Sequence, residues 1–123
     1  MQPSIHLTDR DLAQLTRLID ESPLRFAPLL DALEEELRRA TVVPATDGAD
    51  FVQLGSTVTW ETVETGRRRT ARLVLPEQVT GPTELSVLTP VGCALIGVRV
   101  GDTFTWVDGS RHWRLRVLSV SGA

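Results

Sequence analysis

The stretch that decides the fold is Leu85–Asp102, LSVLTPVGCALIGVRVGD. It reads as strand, tight turn, short helix, tight turn, strand. Leu85, Val87 and Leu88 form a short apolar run, which Thr89-Pro90 ends. Thr89 is a good cap for the next helix. Pro90 suits the first helical position, where no N–H is needed. Val91, Leu95 and Ile96 recur at helical spacing, so one side of this helix faces a sheet. Gly97 stands where the helix stops, because glycine takes a left-handed conformation without steric cost. Gly101-Asp102 makes a second turn, and Phe104 and Trp106 alternate out of it as a strand begins. A short helix laid between two strands marks the centre of a small α+β domain.

Working outward, Thr103–Val107 is a strand, Asp108-Gly109 is a hairpin signal, and Trp113, Leu115 and Val117 mark the last strand. Before the central stretch the period is two from Ser56. Val58, Trp60 and Thr62 alternate with Thr57, Thr59 and Glu61, Thr65-Gly66 is a turn, and Ala71, Leu73 and Leu75 alternate with Arg72 and Val74 up to Pro76. The first forty residues change to a period near 3.6. Thr8–Ile19 reads as a helix with stripe Leu12, Leu15, Leu18 and Ile19, and Thr8 with Asp11 resembles a capping box. Asp20, Glu21, Ser22 and Pro23 break it, with Ser22 as the cap of a second helix that runs to about Ala40. The second stripe is Phe26, Leu29, Leu30, Leu33 and Leu37, and Pro28 places the regular start near itself. Two such helices predict an antiparallel hairpin. Thr41–Gly55, with Pro44, Gly48 and Gly55, reads as the linker, after a short lead-in at Met1–Leu7. The division is therefore a helical hairpin over 1–45 and a mostly antiparallel sheet domain with one short helix over 46–123.

Composition narrows the function. All thirteen cations are arginine and the net charge is −3. Residues 1–40 hold five Arg against eight Asp plus Glu, whereas the rest holds eight of each. That balance disfavours autonomous, sequence-specific binding to nucleic acid. No apolar run has the length of a membrane span and the first residues lack a signal peptide, so the expectation is a cytoplasmic protein without a membrane partner. The single Cys93 excludes an internal disulfide framework. It has no His or Asp nearby in sequence, so it reads as a buried small residue rather than a nucleophile. His6 and His112 do not form a zinc-ligand spacing, and His112 reads as a surface residue. Gly92, Gly97 and Gly101 form no phosphate cradle, and Trp60, Trp106 and Trp113 read as core or cross-strand partners. No metal or cofactor is expected.

The central run, with its Pro90, Gly92, Ala94-Leu95, Gly97 and Gly101-Asp102 in register, resembles the C-terminal domain of the bacterial Gre transcript-cleavage factors. The helical first half makes the resemblance closer to the Rnk-type regulators of nucleoside diphosphate kinase, and together the two cover most of the chain. The resemblance implies an FKBP-like sheet domain and a coiled-coil-like hairpin. It further implies a non-enzymatic transcription regulator that binds RNA polymerase core near the secondary channel and competes with Gre factors. Control of nucleoside diphosphate kinase levels is also implied, either directly or as an indirect effect of transcription. Thr89, Pro90, Val91, Gly101 and Asp102 are the polymerase-contact candidates, as exposed turns held by a packed helix, and binding is expected in residues from about 51 to 123. Oligomeric state is not legible.

Asp20 and Glu21 stand at the expected hairpin tip, where Gre factors carry a carboxylate pair that helps hold a catalytic metal. A helix of roughly a dozen residues spans only about 18 Å, so an acidic helix end is the favoured reading. Two alternatives stay open: a Gre-like elongation factor that stimulates transcript cleavage, and an FKBP-like peptidyl-prolyl isomerase, which rests on fold alone. Arg67, Arg68 and Arg69 cluster at an expected β-turn, as a solvated turn or as a contact for phosphate or an acidic partner. Arg72 and Arg99 are single cations with less case for a role.

Overall fold

Thr8 fixes where the first helix begins. Its Oγ1 accepts the Asp11 N–H at 3.0 Å while its own backbone stays extended, which satisfies one of the free donors of a helix start. The computed structural model describes residues 5–23, 27–45, 50–108 and 111–122. In chain order the elements are β1 (His6–Thr8), α1 (Asp9–Glu21), α2 (Ala27–Arg39), β2 (Thr41–Val43), β3 (Thr57–Thr62), β4 (Arg68–Val74), a 3-10 turn (Pro76–Gln78), β5 (Glu84–Ser86), α3 (Pro90–Leu95), β6 (Thr103–Asp108) and β7 (Arg111–Ser121).

The helical half differs from its expected form in three ways. First, α1 runs on through Asp20 and Glu21, and Ser22 closes it by donating from Oγ to the Leu18 carbonyl at 2.5 Å. Ser22 therefore ends the first helix instead of capping the second. Second, the capping box is half formed: the Asp11 carboxylate leaves its own helix and accepts the Leu54 N–H at 3.0 Å. Third, Thr41–Gly55 is not a plain linker. Thr41–Val43 pairs in parallel with His6–Thr8, and a parallel pair needs a crossover, which α1 and α2 supply. Phe51, Val52 and Gln53 are buried. Val52 N–H donates to the Val98 carbonyl at 2.9 Å and Gly97 N–H to the Val52 carbonyl at 2.9 Å, so this segment is stitched to the strand-like run after α3. Phe26, residues 46–49 of the linker, Gly109 of the expected Asp108-Gly109 turn and the Trp106 side chain lie outside the described residues.

The larger sheet has the order β5-β4-β3-β7-β6, with all neighbours antiparallel except β4 and β5. Its first hairpin turns at Gly66, where φ is +72°. Arg68 and Arg69, expected in that turn, belong instead to β4. A bulge between Thr59 and Trp60 shifts the register against β7 yet keeps Val58 and Trp60 on the buried side. One core joins both halves. Ile5, Leu7, Leu15 and Leu33 from the first forty residues are buried with Val58, Leu73, Leu95, Ile96, Phe104 and Leu115 from the rest. The stripes read from sequence thus enter a common interior, with Leu15, Leu30 and Leu33 buried and Leu12, Leu18, Ile19, Leu29 and Leu37 half-buried.

Candidate functional site

Two turns flank α3, and each is held differently. In the first, the Thr89 Oγ1 does two things: it accepts the Gly92 N–H at 3.0 Å and donates to the Ser86 carbonyl at 2.8 Å. Ser86 Oγ in turn accepts the Leu88 N–H at 3.0 Å. A Cβ on Gly92 would run into the Ser86 carbonyl, so glycine lets the helix start press against the end of β5. This closed set of bonds leaves Pro90 exposed and Val91 half-buried at a rigid corner. In the second turn, Gly101 has φ +91° and donates to the Val117 carbonyl at 2.8 Å. Asp102 N–H donates to the Arg99 carbonyl and the Asp102 carbonyl accepts Val117 N–H, both at 3.1 Å. The Thr89 turn follows β5 and the Gly101 turn precedes β6, which are the two edge strands of the sheet. The contact candidates therefore form two separate corners. Arg99 is not a free cation: its guanidinium lies 3.3 Å from the Asp50 carboxylate.

Asp20 and Glu21 are exposed at the end of α1. Glu21 faces Arg17 one turn back at 3.1 Å, and Asp20 lines a shallow groove with Ile19, Leu37 and Arg38. Thirteen residues of helix carry these carboxylates only about 20 Å from the helix start. Among the described residues, no group of three or more His, Cys, Asp or Glu side chains is placed to hold a metal. His112 is exposed, as expected, while His6 packs beside the Phe51 ring at 5.8 Å. Cys93 is buried, and loss of hydration pushes its thiol pKa up to about 11, with the Glu36 charge adding to the shift.

Sequence reasoning missed two features. One is the buried Asp11, whose pKa burial raises and whose bond to Leu54 opposes the rise. Its partner lies 43 positions away, so nothing local signals it. The other is a groove of about 650 Å³ walled by Leu18, Leu75, Pro76 and Leu88 and rimmed by Glu21 and Glu77. It lies where the end of α1 meets the 3-10 turn and the residue just before the Thr89 corner. No helix among the described residues is long and apolar enough to cross a membrane.

Comparison with known proteins joins these corners to a lineage. Residues 46–122 match the family model for the C-terminal domain of the transcription elongation factors GreA/GreB, and residues 3–43 match the Rnk N-terminus. The chain is 36% identical over 122 residues to the regulator of nucleoside diphosphate kinase of Escherichia coli, covering 97% of this chain and 90% of that one. It is 32% identical over 101 residues to the transcription inhibitor protein Gfh1 of Thermus aquaticus, covering 80% of this chain and 64% of that protein. A solved structure described as a prokaryotic transcription elongation factor GreA/GreB from Nitrosomonas europaea superposes with a TM-score of 0.76 at 31% identity, over 98% of this chain and 99% of that one. The chain belongs to the GreA/GreB transcription-factor family, in the branch of the Rnk regulators of nucleoside diphosphate kinase.

Proposed function

We propose that the chain is a non-enzymatic, cytoplasmic transcription regulator that docks on RNA polymerase core near the secondary channel and competes there with Gre factors. Its influence on nucleoside diphosphate kinase then follows from transcription. In this reading the sheet half, residues 46–123, is the FKBP-like docking unit, with the Thr89–Val91 and Gly101–Asp102 corners as its contacts. The helical half, residues 1–45, is a short antiparallel arm. The observation that carries the reading is a short, anchored α1 in a chain of regulator lineage. Leu15 and Asp11 tie the helix into the interior, so Asp20 and Glu21 stay close to the body. A cleavage factor must instead bring carboxylates to metal-ligand distance, roughly 2.0–2.6 Å. Occupying a shared docking surface makes no such demand.

A second reading, an elongation factor that stimulates transcript cleavage, is favoured by the likeness to the Nitrosomonas europaea structure. A backtracked elongation complex with magnesium separates the two. The regulator is expected to bind core polymerase, to leave the nascent RNA intact, and to slow cleavage by an added Gre factor. Pro90→Glu is expected to weaken binding. Asp20→Ala with Glu21→Ala is expected to change binding by no more than about 1 kcal/mol, as for exposed charges. If the chain alone shortens the RNA and the double variant loses that activity, the cleavage reading replaces this one. Turnover in a proline-isomerisation assay would bring back the isomerase alternative.

A further inference from the structure

The outer face of the five-stranded sheet carries a row of alternating charge. Residues opposite one another on neighbouring strands share a face, as do positions two apart along one strand. Thr57, Thr59 and Glu61 of β3 therefore point away from the interior that Val58 and Trp60 enter. Glu61 is paired with Arg68 of β4 on one side and Arg116 of β7 on the other, and Arg116 is paired with Thr103 of β6. The ion pairs are long: Arg68 Nε lies 3.6 Å and Arg116 Nη1 3.9 Å from the Glu61 carboxylate. Arg116 Nε also donates to Thr103 Oγ1 at 3.4 Å. The Arg68 and Arg116 side chains are 69% and 46% exposed, against 19% for Glu61. The two cations thus stand open on either side of a sheltered anion. The next row is hydroxylic, with Thr70, Thr59 and Ser119 side by side.

We propose that this face binds an acidic helix of a protein partner, one that presents two carboxylates seven residues apart with a basic residue between them. Charge and spacing both favour that occupant. Arg68 and Arg116 lie two strand spacings apart, about 9.6 Å, and seven residues of helix rise about 10.5 Å. A carboxylate then meets each guanidinium, a cation three or four residues along meets Glu61, and the small hydroxyls let the helix lie close. Nucleic acid fits less well. A phosphate backbone that bridges the two cations would pass over the Glu61 carboxylate between them, and the outward residues of these rows are arginine, glutamate, threonine and serine, with no aromatic ring for a base to stack on. A second copy of the chain does not fit either, because neither α1 nor α2 has two acidic residues seven apart.

The test is a titration of the nitrogen-15-labelled full chain with an alanine-based helical peptide carrying two Glu seven residues apart and a Lys midway. A control peptide of the same composition has the two Glu five apart, and a third arm uses a single-stranded oligonucleotide. Amide shifts are expected to centre on Glu61, Arg68, Thr70 and Arg116. The control peptide, or about 0.3 M salt, is expected to weaken binding at least tenfold. Arg68→Glu with Arg116→Glu is expected to abolish it in a chain whose spectrum shows it folded, and Arg116→Gln alone to weaken it severalfold. Shifts elsewhere, no shifts at millimolar peptide, equal binding of the control, or tighter binding of the oligonucleotide would each overturn the proposal.

Discussion

Gly97 combines a left-handed backbone with a close approach by β1. Its φ is +79°, and a Cβ there would stand 2.8 Å from the His6 carbonyl oxygen and 2.9 Å from the Ile5 Cβ. Two costs add in Gly97→Ala. Holding an L-residue in the left-handed region costs roughly 1–2 kcal/mol. Relieving the overlap costs roughly another 1–3 kcal/mol, because β1 must retreat, and the His6 N–H to Gly97 carbonyl bond of 3.1 Å goes with it. Gly101 supplies the comparison: φ is +91° and nothing lies within 4 Å of its would-be Cβ, so Gly101→Ala carries only the conformational cost. Gly97→Ala is therefore expected to be less stable than Gly101→Ala by about 1–3 kcal/mol, and Gly97→Val less stable still, because a β-branched residue resists the left-handed region more strongly. Urea unfolding followed by tryptophan fluorescence reads the difference directly, provided the slope stays constant. For a chain of this size each kcal/mol moves the melting temperature by roughly 3–6 °C. Equal midpoints for Gly97→Ala and Gly101→Ala, or a Gly97→Val midpoint that does not move, would refute the argument that β1 is pressed against this turn.

Three further outcomes follow from buried groups. Burial raises the Asp11 pKa in the folded state above its ordinary 3.8, so the native chain holds that proton more tightly than the unfolded one. Its contribution to stability is full below 3.8 and is lost as pH rises through the folded value. Asp11→Asn keeps an acceptor for Leu54 but does not titrate, so wild type is expected to lose stability relative to it between about pH 3.5 and 7, and parallel urea midpoints at the two ends would contradict this. Asp11→Ala strands the Leu54 N–H and is expected to cost about 1–3 kcal/mol at either pH. Cys93, with its thiol near 11, is expected to resist a disulfide reagent in the native chain and to react fully in denaturant; rapid labelling of native protein would show the site to be open.

What the sequence made legible was local. Thr89, Pro90 and Gly97 sit within eight residues of one another, and the cap, the helix start and the left-handed stop that each implies all occur. The leucine stripes of α1 and α2 and the alternation of β3 were equally plain, because burial imposes those periods one element at a time. The parts that were missed are pairings across distance. Thr41–Val43 looks like a linker because three residues cannot display a period, and its partner His6–Thr8 is removed by two helices. Arg68 and Arg69 look like turn residues until β3 is seen to place Glu61 and Trp60 opposite them. At the candidate site the two corners were each legible, but their placement beside opposite edges depends on the strand order, which no single segment encodes.

That strand order and the shared core bear on how any partner is met. The arm and the sheet half are tied by the Asp11 carboxylate to the Leu54 N–H at 3.0 Å, and Leu15 and Leu33 are fully buried in the core that both halves share. Withdrawing each leucine would forfeit roughly 1.5–3 kcal/mol, and uncovering Asp11 would leave Leu54 to find water. A swing of the arm about the sheet therefore breaks several interactions together instead of bending one loop. If the sheet docks, the direction of α1 is set by the same interior that sets the sheet, and Asp20 and Glu21 reach only as far as a helix rooted at Thr8 allows. The groove of Leu18, Leu75 and Leu88 lies across this junction. A partner that entered it would touch both halves at once, and its binding would oppose their separation.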